Sequence, residues 1–224
     1  QKHPWISDPY YINVYPESEK RKIFDNFHYS SHLASSRSMP WLGSLYDAVA
    51  KNRFPGKIPP AIGIDGKAFP VTVSPWYLIE DPENLIWGKL FDEYAEQIKK
   101  NPHVKSIAID YEPGALTHCF SDESRKRFAA FAKLSAVPST QEIIAKYRAE
   151  WLKFRVEQHR LIIQRLSRAI RSKLPGIEFW LISDPLQTGK QRVAEWCGVD
   201  VKASDPDIDL HQDMPYFAGL PFFE

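Results

Sequence analysis

An α/β fold with a mainly parallel sheet is what this sequence predicts, and three observations predict it. From about residue 69 onward, short β-branched runs alternate with amphipathic helical stretches. The connections are short and the strand candidates run ~5–7 residues, as in βα units. Polar residues collect where those strands end: Ser74 and Trp76, Asp110 and Glu112, Asp184, and His211 with Asp213.

Along the chain, Tyr10 to Val14 is rich in strand formers and stops at Pro16; Ser35 to Ser38 reads as a loop. Pro40 suits a first helical position, with Trp41, Leu42, Leu45, Tyr46 and Val49 at helical spacing behind it. Ile62-Gly63-Ile64 and Val71-Thr72-Val73 are short strand candidates in a zone punctuated by Pro55-Gly56, Pro59-Pro60 and Asp65-Gly66. Asp81-Pro82 predicts a helix start, Asp as N-cap and Pro at the first helical position. Ile86, Trp87, Leu90, Phe91, Tyr94 and Ile98 then give its apolar stripe, down to Lys99-Lys100.

Asn101-Pro102 ends that helix. Val104 to Ile109 is a strand that runs into Asp110-Tyr111-Glu112-Pro113-Gly114. A helix with Phe128, Phe131 and Leu134 comes after Ser121. Ser139 and Glu142 match a capping box and open the longest helix, one apolar face from Ile144 to Leu174 that Pro175-Gly176 stops. Its charged back face, with Arg148, Lys153, Arg160 and Arg171, reads as solvated. Ile177 to Ile182 is a further strand, a short helix lies near Arg192 to Cys197, and Ile208 to His211 is the last strand.

An active edge at the C-terminal ends of the strands suits a (β/α)8 TIM-type barrel and, less well, an open doubly wound sheet. Five or six strands are countable where a full barrel takes ~250 residues. The barrel is therefore expected to be incomplete here, a single domain over residues 1–224. The chain opens on Gln1 without a signal-peptide pattern and stops on an apolar run at Phe222-Phe223-Glu224, so it reads as a fragment of a longer protein.

Composition narrows the function. Lys and Arg number 29 against 28 Asp and Glu, a net charge of +1 that does not suit nucleic acid or an anionic membrane as main partner. No apolar run reaches the ~18 residues of a membrane span. No Gly-x-Gly-x-x-Gly or P-loop occurs, and no His-x-His or His-Glu-x-x-His, so no cofactor and no metal are called for. Cys119 and Cys197 are expected to be free thiols. The 13% aromatic content suits stacked sugars, or a large core. Trp76 is the sugar-platform candidate; Trp87, Trp151 and Trp180 fall on core stripes.

Asp110 and Glu112 carry the chemistry. Side chains alternate along a strand, so the two share a face with Cα atoms ~6.5–7 Å apart. Paired carboxylates disfavour each other's ionisation, which raises one pKa and makes a general acid near neutral pH. A rim ion pair with Lys or Arg is the structural alternative. His211 and Asp213 likewise share a strand face, suited to hydrogen bonding a substrate.

The segment Ser106 to Pro113, Ser-Ile-Ala-Ile-Asp-Tyr-Glu-Pro, resembles the fourth strand of glycoside hydrolase barrels. Cys119-Phe120-Ser121 with Arg127-Phe128 resembles the segment after it in beta-galactosidase-like enzymes. The resemblance covers roughly residues 70–217 and implies a carbohydrate substrate, with Glu112 as acid/base. The large retaining clan has Asn directly before that Glu, where this chain has Tyr111. Chitinase-like enzymes have Asp-x-Asp-x-Glu; Asp110 and Glu112 match its last two acids and Ala108 replaces the first. Met214-Pro215-Tyr216 resembles their Met-x-Tyr, with Phe217 where Asp is usual.

A retaining glycosidase needs a second carboxylate ~5–5.5 Å from the acid and an inverting one ~6.5–9.5 Å, while a substrate-assisted enzyme needs only a group to orient the acetamido. Asp110, Asp184 and Asp213 are the candidates, with Glu224 weaker; Tyr111, His211 and Tyr216 join Trp76 as substrate contacts. The alternative function is a non-catalytic carbohydrate-binding or scaffold barrel that has lost the hydrolase site.

Overall fold

The computed structural model describes residues 29–34, 54–100, 104–110, 114, 116–183 and 200–213. The strand expected at Tyr10 to Val14, the helix behind Pro40 and the helix near Arg192 to Cys197 lie outside them.

Six strands are described: β1 (Tyr29–Ala34), β2 (Pro60–Ile62), β3 (Ala68–Val73), β4 (Val104–Asp110), β5 (Glu178–Ser183) and β6 (Leu210–Asp213). Four of them form one sheet in the order β1-β4-β5-β6, with every neighbouring pair parallel. The three strands expected around Val104, Ile177 and Ile208 are thus neighbours in that order. β1, whose Ser30-Ser31-His32 centre shows no strand signal in sequence, pairs with β4 from Tyr29 opposite Val104 to Ala34 opposite Asp110.

β2 and β3 depart from the expected parallel arrangement. They pair antiparallel with each other as a separate two-stranded sheet. The cause is local: Gly66 takes φ +77 in the turn, and the Gly63 N–H reaches the Lys67 carbonyl at 2.8 Å. That tight closure returns the chain beside itself before a crossover can form. Ser74 and Trp76 therefore come after a hairpin strand and not after a strand of the parallel sheet.

Helix α1 (Pro75–Glu80) leads into a π-helical turn (Leu85–Leu90) continuous with α2 (Phe91–Lys99). Asn84, and not the expected Asp81, is the N-cap of this helix; Asp81 serves it from further upstream. Its carboxylate accepts the N–H groups of Leu85, Ile86 and Trp87, each at 2.8 Å. The helix starts at Leu85 and not at Pro82, because Asp81 and Asn84 both take positive φ between them.

Helix α3 (Asp122–Phe131) opens on Ser121, whose side chain accepts the Ser124 N–H. The capping box is present in full at α4 (Thr140–Lys146): the Ser139 hydroxyl accepts the Glu142 N–H, and the Glu142 carboxylate accepts the Ser139 N–H. The single long helix expected here is broken. Tyr147 takes φ −120, ψ 22 between α4 and α5 (Arg148–Lys173). The break lets Tyr147 and Trp151 both pack on the Phe128 ring, at 6.4 and 5.1 Å between centroids. Gly176, φ +87, turns the chain from α5 toward β5. A short α6 (Val201–Ser204) precedes β6.

The core sits between sheet and helices. Ile107 and Ile109 of β4 and Phe179 and Leu181 of β5 are buried in one cluster with Leu90, Tyr94 and Ile98, and with Ile162, Leu166 and Ile170 of α5. A second cluster, Phe120, Phe128, Ile143, Trp151 and Phe154, fixes α3 and α4 to the start of α5. Trp87 and Trp151 are core residues as expected; Trp180 is half-buried, its indole N–H donated to Glu178.

Candidate functional site

The parallel sheet brings one set of expected positions to one edge. Asp110 is the last residue of β4 and pairs with Ala34 of β1 and Ile182 of β5. Ile182 pairs with Gln212, and Ser183 with Asp213, the last residue of β6. Asp110, His211 and Asp213 therefore lie at the same end of the sheet. Their registers differ: His211 is opposite Leu181, which is opposite Ile109, so Gln212 is the β6 position level with Asp110. Tyr111, Glu112, Asp184 and Tyr216 lie outside the described residues, as does Glu224.

A short way past Asp110 the chain makes a well-tied turn. Gly114 is buried with φ +59, and its carbonyl accepts the N–H groups of Thr117 and His118, both at 3.2 Å. The turn is tied down on the hairpin by Ile64 N–H to Thr117 O (3.3 Å), Phe120 N–H to Ile62 O (2.9 Å) and a bridge between Gly63 and His118. His118 lies edge-on to Phe69 with centroids 3.8 Å apart, and its Nδ1 is 2.6 Å from the Thr117 hydroxyl.

Beneath the turn, α5 carries polar groups that sequence patterning alone does not single out. Arg155, 1% exposed, donates to the Gln158 side-chain carbonyl at 2.7 Å and to the thiol of Cys119. Burial pushes the Cys119 thiol up, and the Arg155 charge and hydrogen bond offset part of that, so Cys119 is a neutral thiol at pH 7. Cys119 is free, as expected; Cys197 lies outside the described residues. His159 is buried on the same helix. A signal for this cluster exists: Arg155 and His159 continue the i, i+4 row from Trp151 to Ile163, all four buried.

Trp76 sits in the first turn of α1, half-buried and packed against the main core. One ring face is covered by the Arg127 guanidinium, 5.4 Å from the ring centroid. Arg127 is held there by Glu80 and by Glu123, the latter at 2.9 Å. Among the described residues no group of three or more His, Cys, Asp or Glu could hold a metal ion.

No family model matches the sequence, and no curated protein matches it either. Among solved structures, the chain is similar to the catalytic domain of a beta-amylase from Paenibacillus polymyxa. The TM-score is 0.56 at 12% identity, over 86% of this chain and 62% of that one. This is a likeness of fold to a glycoside hydrolase with a TIM barrel, and the chain spans about 62% of that domain's length.

Proposed function

We propose that this chain is a glycoside-hydrolase-like (β/α) barrel domain that cleaves a glycosidic bond, with Glu112 as the general acid/base. The observation that carries the reading is the end of β4. Asp110 closes a parallel strand with neighbours on both sides, and Glu112 comes two residues later, where the acid of such barrels stands. Barrel closure is part of the proposal. The strands of the sheet add in chain order without reversal, as barrel strands do, whereas an open doubly wound sheet reverses at its switch point. The fold likeness to a beta-amylase catalytic domain supports the same architecture and a carbohydrate substrate.

In this mechanism Glu112 protonates the leaving glycosidic oxygen. A second carboxylate, from Asp110, Asp184 or Asp213, attacks the anomeric carbon to give a glycosyl-enzyme that water then hydrolyses with Glu112 as base, or activates a water for direct attack, or orients a substrate acetamido group that itself attacks; in each case its charge raises the Glu112 pKa. Tyr111, His211, Tyr216 and Trp76 are proposed substrate contacts; for Trp76 the ring face under Arg127 is already taken. The test is hydrolysis. The purified chain is incubated with soluble starch and with a panel of 4-nitrophenyl glycosides, and released reducing ends and nitrophenol are measured. Turnover that Glu112→Gln lowers, more on the unactivated glycan than on nitrophenyl glycosides, supports the hydrolase. Binding of a glycan without turnover would instead support a barrel that has lost its hydrolase site.

A further inference from the structure

We infer that the Thr117 hydroxyl, oriented by His118, is a glycan contact that accepts a hydrogen bond from a sugar hydroxyl; this rests on the reading of the substrate as a carbohydrate. Topology puts the pair at the edge where β4 ends. Helix α2 finishes at Lys99, five residues before Val104 opens β4, and its Tyr94 and Ile98 share a core with Ile107 and Ile109. The helix therefore runs back toward the start of the strands, and the β2–β3 hairpin upstream of it lies toward their finish. The turn after β4 meets the hairpin there. Gly114 is four residues past Asp110, at most about 14 Å by chain reach. From Gly114 onward the turn is bonded to the hairpin through Ile64, Phe120 and the Gly63–His118 bridge. A hairpin outside the parallel sheet thus stands at the edge where barrels of this kind bind their ligands.

The turn presents polar atoms to solvent. Thr117 is exposed and His118 half-buried. A Cβ on Gly114 would stand 2.5 Å from both Thr117 Oγ and His118 Nδ1, so the bare glycine makes room for the pair. Thr117 Oγ lies 2.6 Å from that Nδ1 and 3.4 Å from the Gly114 carbonyl oxygen. A hydroxyl has one proton and two lone pairs. With its proton on the Gly114 carbonyl, Oγ accepts the Nδ1 proton and keeps one lone pair; with its proton on Nδ1, it keeps both. Either way an exposed, oriented acceptor remains. His118 is itself held edge-on to the Phe69 ring, 3.8 Å between centroids. Backbone bonds from Thr117 and His118 to the Gly114 carbonyl already close the turn, so the oriented hydroxyl is surplus to its closure. Beside it is Ile64, whose N–H donates to the Thr117 carbonyl and which is 49% exposed, one of three large hydrophobics so exposed among the described residues. A few placed polar groups with apolar surface next to them suit a pyranose, whose hydroxyls need partners and whose C–H face needs apolar contact.

The experiment titrates maltopentaose, cellopentaose, xylopentaose and chitopentaose into the full chain carrying methyl-labelled threonine and ring-labelled histidine. Thr117→Ser and His118→Gln assign the two resonances. The glycan that binds is expected to shift both the Thr117 methyl and the His118 ring. Thr117→Val keeps the shape without the hydroxyl and should raise the Kd of that glycan about fivefold. Thr117→Ser should stay within about twofold of wild type, and His118→Gln should lie between the two. If Thr117→Val does not fold, the methyl and ring shifts of the wild type decide. A bound glycan that leaves both resonances in place, or an unchanged Kd in folded Thr117→Val, overturns the inference and leaves the carbohydrate reading standing. A chain that binds none of the four contradicts the carbohydrate reading and the Thr117 contact together. Failure of the acid/base assignment shows separately, as full activity in Glu112→Gln.

Discussion

The Gly114 carbonyl accepts the N–H of His118 at 3.2 Å, and a Cβ on Gly114 would stand 2.5 Å from the His118 Nδ1. The same Cβ would meet the Thr117 hydroxyl at 2.5 Å, and φ is +59. Gly114→Ala therefore has both a steric and a backbone penalty, about 1–3 kcal/mol for the backbone. A lower urea midpoint, with activity lost more steeply than stability, is the expected outcome.

Asp81 anchors the π-helical turn through three backbone donors. Asp81→Ala leaves those donors in a buried setting without their acceptor, at a cost of about 1–3 kcal/mol. Asp81→Asn keeps one carbonyl oxygen and should lose less. Chemical denaturation of the two variants, with the m-value checked for constancy, measures the difference.

Trp151 is fully buried between Phe120, Phe128 and Phe154. Trp151→Ala should cost about 3–5 kcal/mol, and Trp151→Phe clearly less because it keeps the ring contacts. The fluorescence of the remaining tryptophans against urea reports it.

Tyr77 gives a pH prediction. Burial, then the charges of Asp81 and Glu83, push its hydroxyl up from 10.0 to about 12. The folded state thus holds this proton more tightly than the unfolded chain. The contribution to stability is present below pH 10 and is lost as pH rises toward 12. The hydroxyl has no hydrogen-bond partner among the described residues. Tyr77→Phe should therefore be close to neutral at pH 7 and should flatten the fall in thermal midpoint between pH 10 and 12.

Legibility in the sequence depends on how local the cause is. Ser139 and Glu142 are readable because a capping box needs only its own four residues. The end of β4 is readable because Pro113-Gly114 punctuates a β-branched run. β1 is not, because its partner β4 lies some seventy residues on and its centre is polar. The hairpin turn at Asp65-Gly66 is visible, yet its consequence, that β3 leaves the parallel sheet, depends on pairing. Of the candidate site, sequence alternation puts His211 and Asp213 on one face but cannot give their register to Asp110. That register depends on Ile182 lying opposite both Asp110 and Gln212. For Arg155 the sequence gives two opposed signals: the i, i+4 row from Trp151 to Ile163 marks it as inward-facing, while its charge reads as solvated surface until its burial is seen.

The central claim is that Glu112 protonates the leaving group, and one comparison tests it most directly: wild type against Glu112→Gln, on whichever unactivated glycan the wild type hydrolyses and on activated aryl glycosides. The account predicts a folded variant whose turnover falls about 10²–10⁴-fold on the unactivated glycan, and less on aryl glycosides whose leaving groups need little protonation. Asp110→Asn, run alongside, should shift the pH profile with a smaller loss of rate. Unchanged turnover of that unactivated glycan by folded Glu112→Gln would contradict the account.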